Sequence, residues 1–300
     1  MGTPNPGRKR KRGRPRLQAL LRFLSEEGPA SGPKQVLPMT LRLRRAIERE
    51  FDCISRSYSR LSVQKSEREV REVAAWIAPR RDEWVLDAAC GPARLARALA
   101  PRVERVCGVD LCASMIRLAR ECQPHSAGSV LFAVGDVERL PYRSRTFHLA
   151  TCSYAFANFP EPLKVLRELA RVIRRDGRIA IIDLVAPKES DQRDLLCRLE
   201  TLRGRLPARI LSRSEFNVLF RRAGLLLESC RFARRRRRFR DWLRQSPAAT
   251  RDPRRAHHLR RMLLDSVDGQ RRGLAPRRLD GDIVFHHTTG CFMLRPPPDL

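Results

Sequence analysis

Between Val85 and Leu95 the chain reads Val-Leu-Asp-Ala-Ala-Cys-Gly-Pro-Ala-Arg-Leu, an apolar strand that ends in an acid, turns through one glycine and enters a helix. About twenty residues on, Val106-Cys107-Gly108-Val109-Asp110 is a second strand ending in an acid, where a doubly wound α/β fold sets a carboxylate against a ribose diol. The pair constrains the fold more than any other feature. It demands parallel strands whose carboxyl ends share one ligand.

A loop of this kind must let backbone N–H groups approach a ligand, so its side chains are small and one residue tolerates unusual φ and ψ. Ala88, Ala89, Gly91 and Ala93 meet that demand. A dinucleotide pyrophosphate asks for three glycines, and only Gly91 is present, so a smaller nucleotide-like ligand is favoured over NAD or FAD.

Further segments follow in order. Gly135-Asp136-Val137-Glu138-Arg139-Leu140-Pro141 leads to Phe147-His148-Leu149-Ala150-Thr151-Cys152-Ser153-Tyr154, and Glu168 to Ile179 reads as helix, glycine turn and strand. With Asp87 to Ala93, these segments resemble the motifs of class I S-adenosylmethionine-dependent methyltransferases. The resemblance spans roughly residues 45 to 295 and leans toward the type 11 branch that includes the ubiquinone and menaquinone C-methyltransferases. It implies an α/β, Rossmann-like, seven-stranded and mostly parallel sheet with helices on both faces. The last strand, 283–294, is expected antiparallel at the sheet edge.

The same resemblance assigns roles. Asp87 and the backbone around Ala89, Gly91 and Ala93 should face the methionine and ribose of S-adenosylmethionine. Asp110 should accept from both ribose hydroxyls. Asp136 should take the adenine amino group, the Val137 N–H a ring nitrogen, and Leu111 and Met115 the adenine faces, although ordinary helix packing explains Leu111 and Met115 equally well. Cys152 to Tyr154 should border the methyl group. Ala93 stands where the motif has its last glycine, and Tyr58-Ser59 stands where the family has tyrosine-aspartate. The acceptor is expected to be a small, quinone-like molecule, with Tyr58, Tyr154, His286 and His287 as candidate bases; Tyr58 and Tyr154 lead. His148 begins a strand at the end away from the cofactor, and His286 and His287 read as exposed edge residues.

Composition bounds this reading. The 300 residues suit one α/β domain with appendages: a basic tail over 1–38, a core over 64–186 and 213–295, and helical cap segments near 187–212 and 241–268. No apolar run approaches the roughly 20 residues of a membrane span, and no signal peptide is evident, so a cytoplasmic protein is expected. Nine cysteines form no C-x-x-C pair, which predicts neither a metal site nor a disulfide framework.

The formal net charge of +29 raises polyanion partners. Arg8 to Arg16 lies in a Pro- and Gly-rich segment expected to be disordered, and Arg12-Gly13-Arg14-Pro15 resembles an AT-hook core. A start at Met39 would remove it. Arg234 to Arg238 follows the expected sixth strand and reads as a solvated connection or an anionic patch, with Phe232 and Phe239 available to stack on bases. A nucleic-acid-associated methyltransferase steered by its basic tail, and a degenerate binding protein that has lost catalysis, are the alternatives.

Overall fold

The structure is a computed structural model that describes residues 39–62, 67–123, 130–204, 208–267 and 273–297. The segments at 1–38, including the AT-hook-like run, lie outside the described residues. Residues Arg45–Leu300 form one compact unit.

Strand and helix alternate as the hydrophobic pattern demands: α1 Met39–Ser62, α2 Glu67–Ile77, β1 Trp84–Ala88, α3 Arg94–Leu99, β2 Arg105–Asp110, α4 Ala113–Glu121, β3 Val130–Val134, β4 Phe147–Ser153, α5 Pro162–Val172 and β5 Ile173–Val185. The cap helix α6 Ser190–Gly204 follows, then α7 Arg213–Arg222 and β6 Leu226–Arg238. Three further helices, α8 Phe239–Arg244, α9 Pro247–Thr250 and α10 Pro253–Leu264, precede the hairpin of β7 Arg277–Leu279 and β8 Asp282–Arg295.

The strand order is β3-β2-β1-β4-β5-β8-β6, with β7 added to β8. Strands β1 to β5 pair in parallel, while β8 runs antiparallel to both neighbours. Apolar side chains fill both faces. Leu86, Phe147, Leu166, Ile181 and Phe292 pack on one side, and Val85, Leu99, Val106, Leu149 and Ile182 on the other. A third cluster, with Leu199, Trp242, Leu259 and Phe285, holds the cap on the sheet.

Several expectations are corrected. β8 is not at the edge: it lies between β5 and β6, because Ile283, Phe285, Cys291, Phe292, Met293 and Leu294 leave no face for water. His287 is accordingly not an exposed edge residue but only 4% exposed, and His286 is half-buried. Burial first, then the neighbouring Arg237, pushes the His287 imidazole down to about 4, against the pull of Glu200. Glu200 accepts from Trp242 Nε1 at 3.1 Å and from Arg203 Nη2 at 2.6 Å, which satisfies its buried charge inside the cap.

The arginine run is a strand rather than a connection. Alternation divides it: Arg235 donates to Glu72 at 2.6 Å and Arg237 to Glu69 at 3.3 Å, clamping α2, while Arg234, Arg236 and Arg238 are exposed. An open sheet edge lined with cations resists edge-to-edge pairing. Phe239 is buried beside Trp242, so it offers no face to a base. β5 begins directly after α5, at Ile173, which leaves Gly177 inside the strand rather than in a separate turn. α1 and β7 have no counterpart among the expected elements.

Candidate cofactor site

The carboxyl ends of β1, β2 and β4 converge because these strands are neighbours in the sheet, and the site grows from the acids at two of those ends. Asp87 is fully enclosed. Its Oδ1 accepts the Thr151 hydroxyl at 2.7 Å, and its Oδ2 accepts the Ala96 N–H at 3.2 Å. The second bond caps α3, whose own N-cap residue, Ala93, carries no capping side chain. Burial pushes the Asp87 carboxyl up to about 7, against the two hydrogen bonds.

Asp110 ties the loop together. Its Oδ2 accepts the Gly91 N–H at 2.7 Å and its Oδ1 the Cys112 N–H at 2.9 Å. A carboxylate offers about four acceptor positions, so two remain for a diol after these bonds are made. Burial raises its pKa as well, opposed by the same two backbone bonds.

Between the acids, Ala89, Gly91 and Ala93 all adopt positive φ, at 54°, 52° and 58°. The loop is a run of left-handed residues that glycine would occupy without strain. A Cβ placed on Gly91 meets nothing within 4 Å, so the backbone borders open space there. That opening beside the Asp110 carboxylate fits a ribose-bearing ligand. Ala93 points its methyl into the cluster of Ile77, Leu95 and Leu99.

These two alanines should respond differently to glycine. Ala89 is half-buried, so Ala89→Gly relieves left-handed strain and is expected to stabilise the fold by about 1 kcal/mol. In Ala93→Gly a similar relief is offset by loss of a buried methyl worth about 0.8 kcal/mol, leaving stability nearly unchanged. Urea unfolding of both variants checks this; an Ala93→Gly loss of more than about 2 kcal/mol would mean that packing dominates the turn.

Around the loop, Met115 and Val137 are buried, Leu111 and Asp136 half-buried, and Cys152 fully enclosed with its thiol pushed well up by burial. Asp136 Oδ1 accepts the Glu138 N–H at 2.8 Å, forming an Asx-type turn at the end of β3. Asp52 of α1 accepts the Ser114 hydroxyl, which sets α1 beside the start of α4. Tyr58 belongs to α1, but its side chain lies outside the described residues.

At the end of β4, Tyr154 takes φ 54° and its hydroxyl lies 3.4 Å from Thr289 Oγ1. The residue is 44% exposed, but its hydroxyl end is enclosed against Thr289, itself buried, and desolvation pushes the phenol up to about 12. His148 is far from this chemistry in role: its Nδ1 accepts the Trp84 N–H at 3.0 Å, joining the starts of β4 and β1.

Sequence reasoning overlooked Asp183. Its Oδ2 accepts the Ala155 and Phe156 N–H groups at 3.0 and 2.9 Å, and its Oδ1 the Leu184 N–H at 2.7 Å, which fixes the Tyr154 loop against β5. Burial raises its pKa to about 6. The signal was present, since Ile179-Ala180-Ile181-Ile182-Asp183 is again an apolar strand ending in an acid.

Residues 86–181 match the family described as methyltransferase domain. The chain is 33% identical over 168 residues to the demethylmenaquinone methyltransferase of Deinococcus radiodurans, covering 54% of this chain and 68% of that protein. It is 33% identical over 150 residues to the demethylmenaquinone methyltransferase of Thermotoga maritima, covering 49% of this chain and 62% of that one. The chain spans only 56% and 62% of the length of the first curated relatives it matches. The solved structure of YcgJ from Bacillus subtilis superposes with a TM-score of 0.69 at 23% identity, covering 77% of this chain and 99% of that one, a likeness of fold. Among the described residues no helix is long and apolar enough to cross a membrane.

Proposed function

This chain belongs to the class I S-adenosylmethionine-dependent methyltransferase family, in its type 11 branch, and from that we propose that it methylates a small, lipophilic, quinone-like acceptor. The observation that carries the reading is Asp110, which holds the Gly91 loop with two lone pairs and keeps two for a ribose diol. The names of the demethylmenaquinone relatives support the acceptor class.

Bound S-adenosylmethionine would supply a methyl group on a sulfonium, a leaving group that needs no covalent enzyme intermediate. The chain's part is to bind, orient and exclude water. Asp87 and the backbone of Ala89, Gly91 and Ala93 are assigned to its methionine and ribose end. Leu111 and Met115 are assigned to the adenine faces, and Asp136 with the Val137 N–H to the adenine edge. Cys152 and Tyr154 flank the position where the acceptor meets the methyl. With its pKa raised to about 12, the Tyr154 phenol is protonated at neutral pH, so it serves as a hydrogen-bond donor to an acceptor oxygen rather than as a base. We assign no such part to Tyr58, whose role as a candidate base rests on sequence alone.

The test is transfer of label from methyl-labelled S-adenosylmethionine to a reduced naphthoquinone extracted into organic solvent. Labelled product from the full chain is expected. Tyr154→Phe should lower kcat/KM roughly five- to tenfold, the worth of one net hydrogen bond. Label that never leaves the aqueous phase, or none at all, rejects the quinone-like acceptor.

A further inference from the structure

The outer strand of the sheet, β6, carries a surface that the cofactor site does not use. Leu226, Leu227 and Phe232 are 52%, 37% and 37% exposed, side chains that a closed edge would bury. Leu227 pairs with Leu294 and Cys230 with Phe292 across a bulge, so Leu227 and Phe232 share the face that α7 covers only in part. Arg234 and Arg236 continue that face by alternation. Arg213 of α7 sets its guanidinium 5.0 Å from the centre of the Phe232 ring, and Arg221 and Arg222 end α7 five residues before Leu226 and Leu227 respectively.

The nearby acids are already engaged. Glu228 pairs with Arg295 at 2.8 Å, Asp280 with Arg238 at 3.6 Å and Glu215 with Arg209 at 3.2 Å. Arg213, Arg221, Arg222, Arg234 and Arg236 have no carboxylate partner among the described residues. An apolar strip bordered by uncompensated arginines matches an anionic lipid surface: the apolar side chains enter the headgroup boundary and the guanidinium groups meet phosphates.

Other occupants fit less well. Nucleic acid would use the cations but not Leu227, and Phe232, the exposed ring of this face, already has a guanidinium over it. A second copy of this face would bring five arginines against five. We propose that the α7–β6 face docks the protein peripherally on an anionic phospholipid bilayer. β6 and the β1–β2 loop are separated in the sheet by β4, β5 and β8, so the docking surface and the cofactor site fail independently.

Flotation of the full chain with vesicles tests the proposal, using phosphatidylcholine alone or mixed with phosphatidylglycerol. The protein should float with the mixed vesicles only and be released by salt. Each arginine at an anionic surface contributes about a fivefold gain in partition, so Arg234→Gln with Arg236→Gln should weaken it about 25-fold. Leu227→Ser should weaken it several-fold, with thermal melting of both variants unchanged because the sites are exposed. Failure of the wild type to float overturns the proposal. So does equal flotation of both variants, which would assign binding to Arg8 to Arg16. Loss of duplex DNA retention by these variants with vesicle binding intact overturns it in favour of a nucleic-acid interface.

Discussion

Replacing Asp87 by asparagine is expected to make the unliganded protein gain about 4 kcal/mol on the wild type between pH 4 and pH 7.5. The figure follows from a carboxyl moved by burial from its ordinary 3.8 to about 7. The folded state holds the Asp87 proton more tightly than the unfolded chain does. Its favourable contribution is therefore complete below the unfolded value and is lost as pH rises through the folded one. Above about pH 7 the wild type keeps an ionised carboxylate in a dry site, and the asparagine variant does not. Asparagine still accepts from the Thr151 hydroxyl but turns an amide toward the Ala96 N–H, a fixed penalty that leaves the pH dependence intact. The comparison must be differential, because His287 acts with the opposite sign. Its imidazole, lowered to about 4, favours the folded state increasingly as pH rises from about 4 to 6.5. Urea unfolding of both proteins at several pH values decides the matter, and parallel curves would mean that Asp87 is not desolvated.

Asp110→Ala is expected to weaken S-adenosylmethionine binding by 100-fold or more. Two hydrogen bonds from a diol to a carboxylate contribute about 1.5–3 kcal/mol each, and about 1.4 kcal/mol is tenfold in affinity. Truncation also leaves the Gly91 and Cys112 N–H groups without their acceptor, so the loop loses its shape along with its ligand. Asp110→Asn separates the two effects. It retains one acceptor oxygen but turns its amide nitrogen toward either the Gly91 or the Cys112 N–H, so one of the two loop bonds is kept and the loss should exceed about tenfold while staying below that of Asp110→Ala. Wild-type affinity in Asp110→Ala would remove the ribose role.

The parts of the fold that could be read from the chain are those specified locally. β1, β2, β3 and β4 fall within a residue of their expected bounds, because each is an apolar run closed by an acid, a glycine or a turn. The small-residue loop after β1 was legible for the same reason, and Ala93 does take the conformation of the glycine it stands for, but left-handed φ at three loop residues rather than one was not foreseen. What stayed hidden depends on distant partners. Arginines read as solvated, and nothing near Arg235 reveals that Glu72, 163 residues away, draws it into a strand. The two histidines of β8 read as exposed because the sixth strand, expected over 225–231, runs on to Arg238 and lies outside β8. Asp183 shows a different failure, a visible pattern left unused because the resemblance assigns no ligand to that position.

The central claim is a functional cofactor site at the β1 and β2 strand ends, and calorimetric titration of S-adenosylmethionine into the full chain at neutral pH tests it most directly. One molecule bound per chain, with the heat abolished in Asp110→Ala, is the predicted result. No heat, together with no shift in the melting temperature at saturating S-adenosylmethionine, would contradict it.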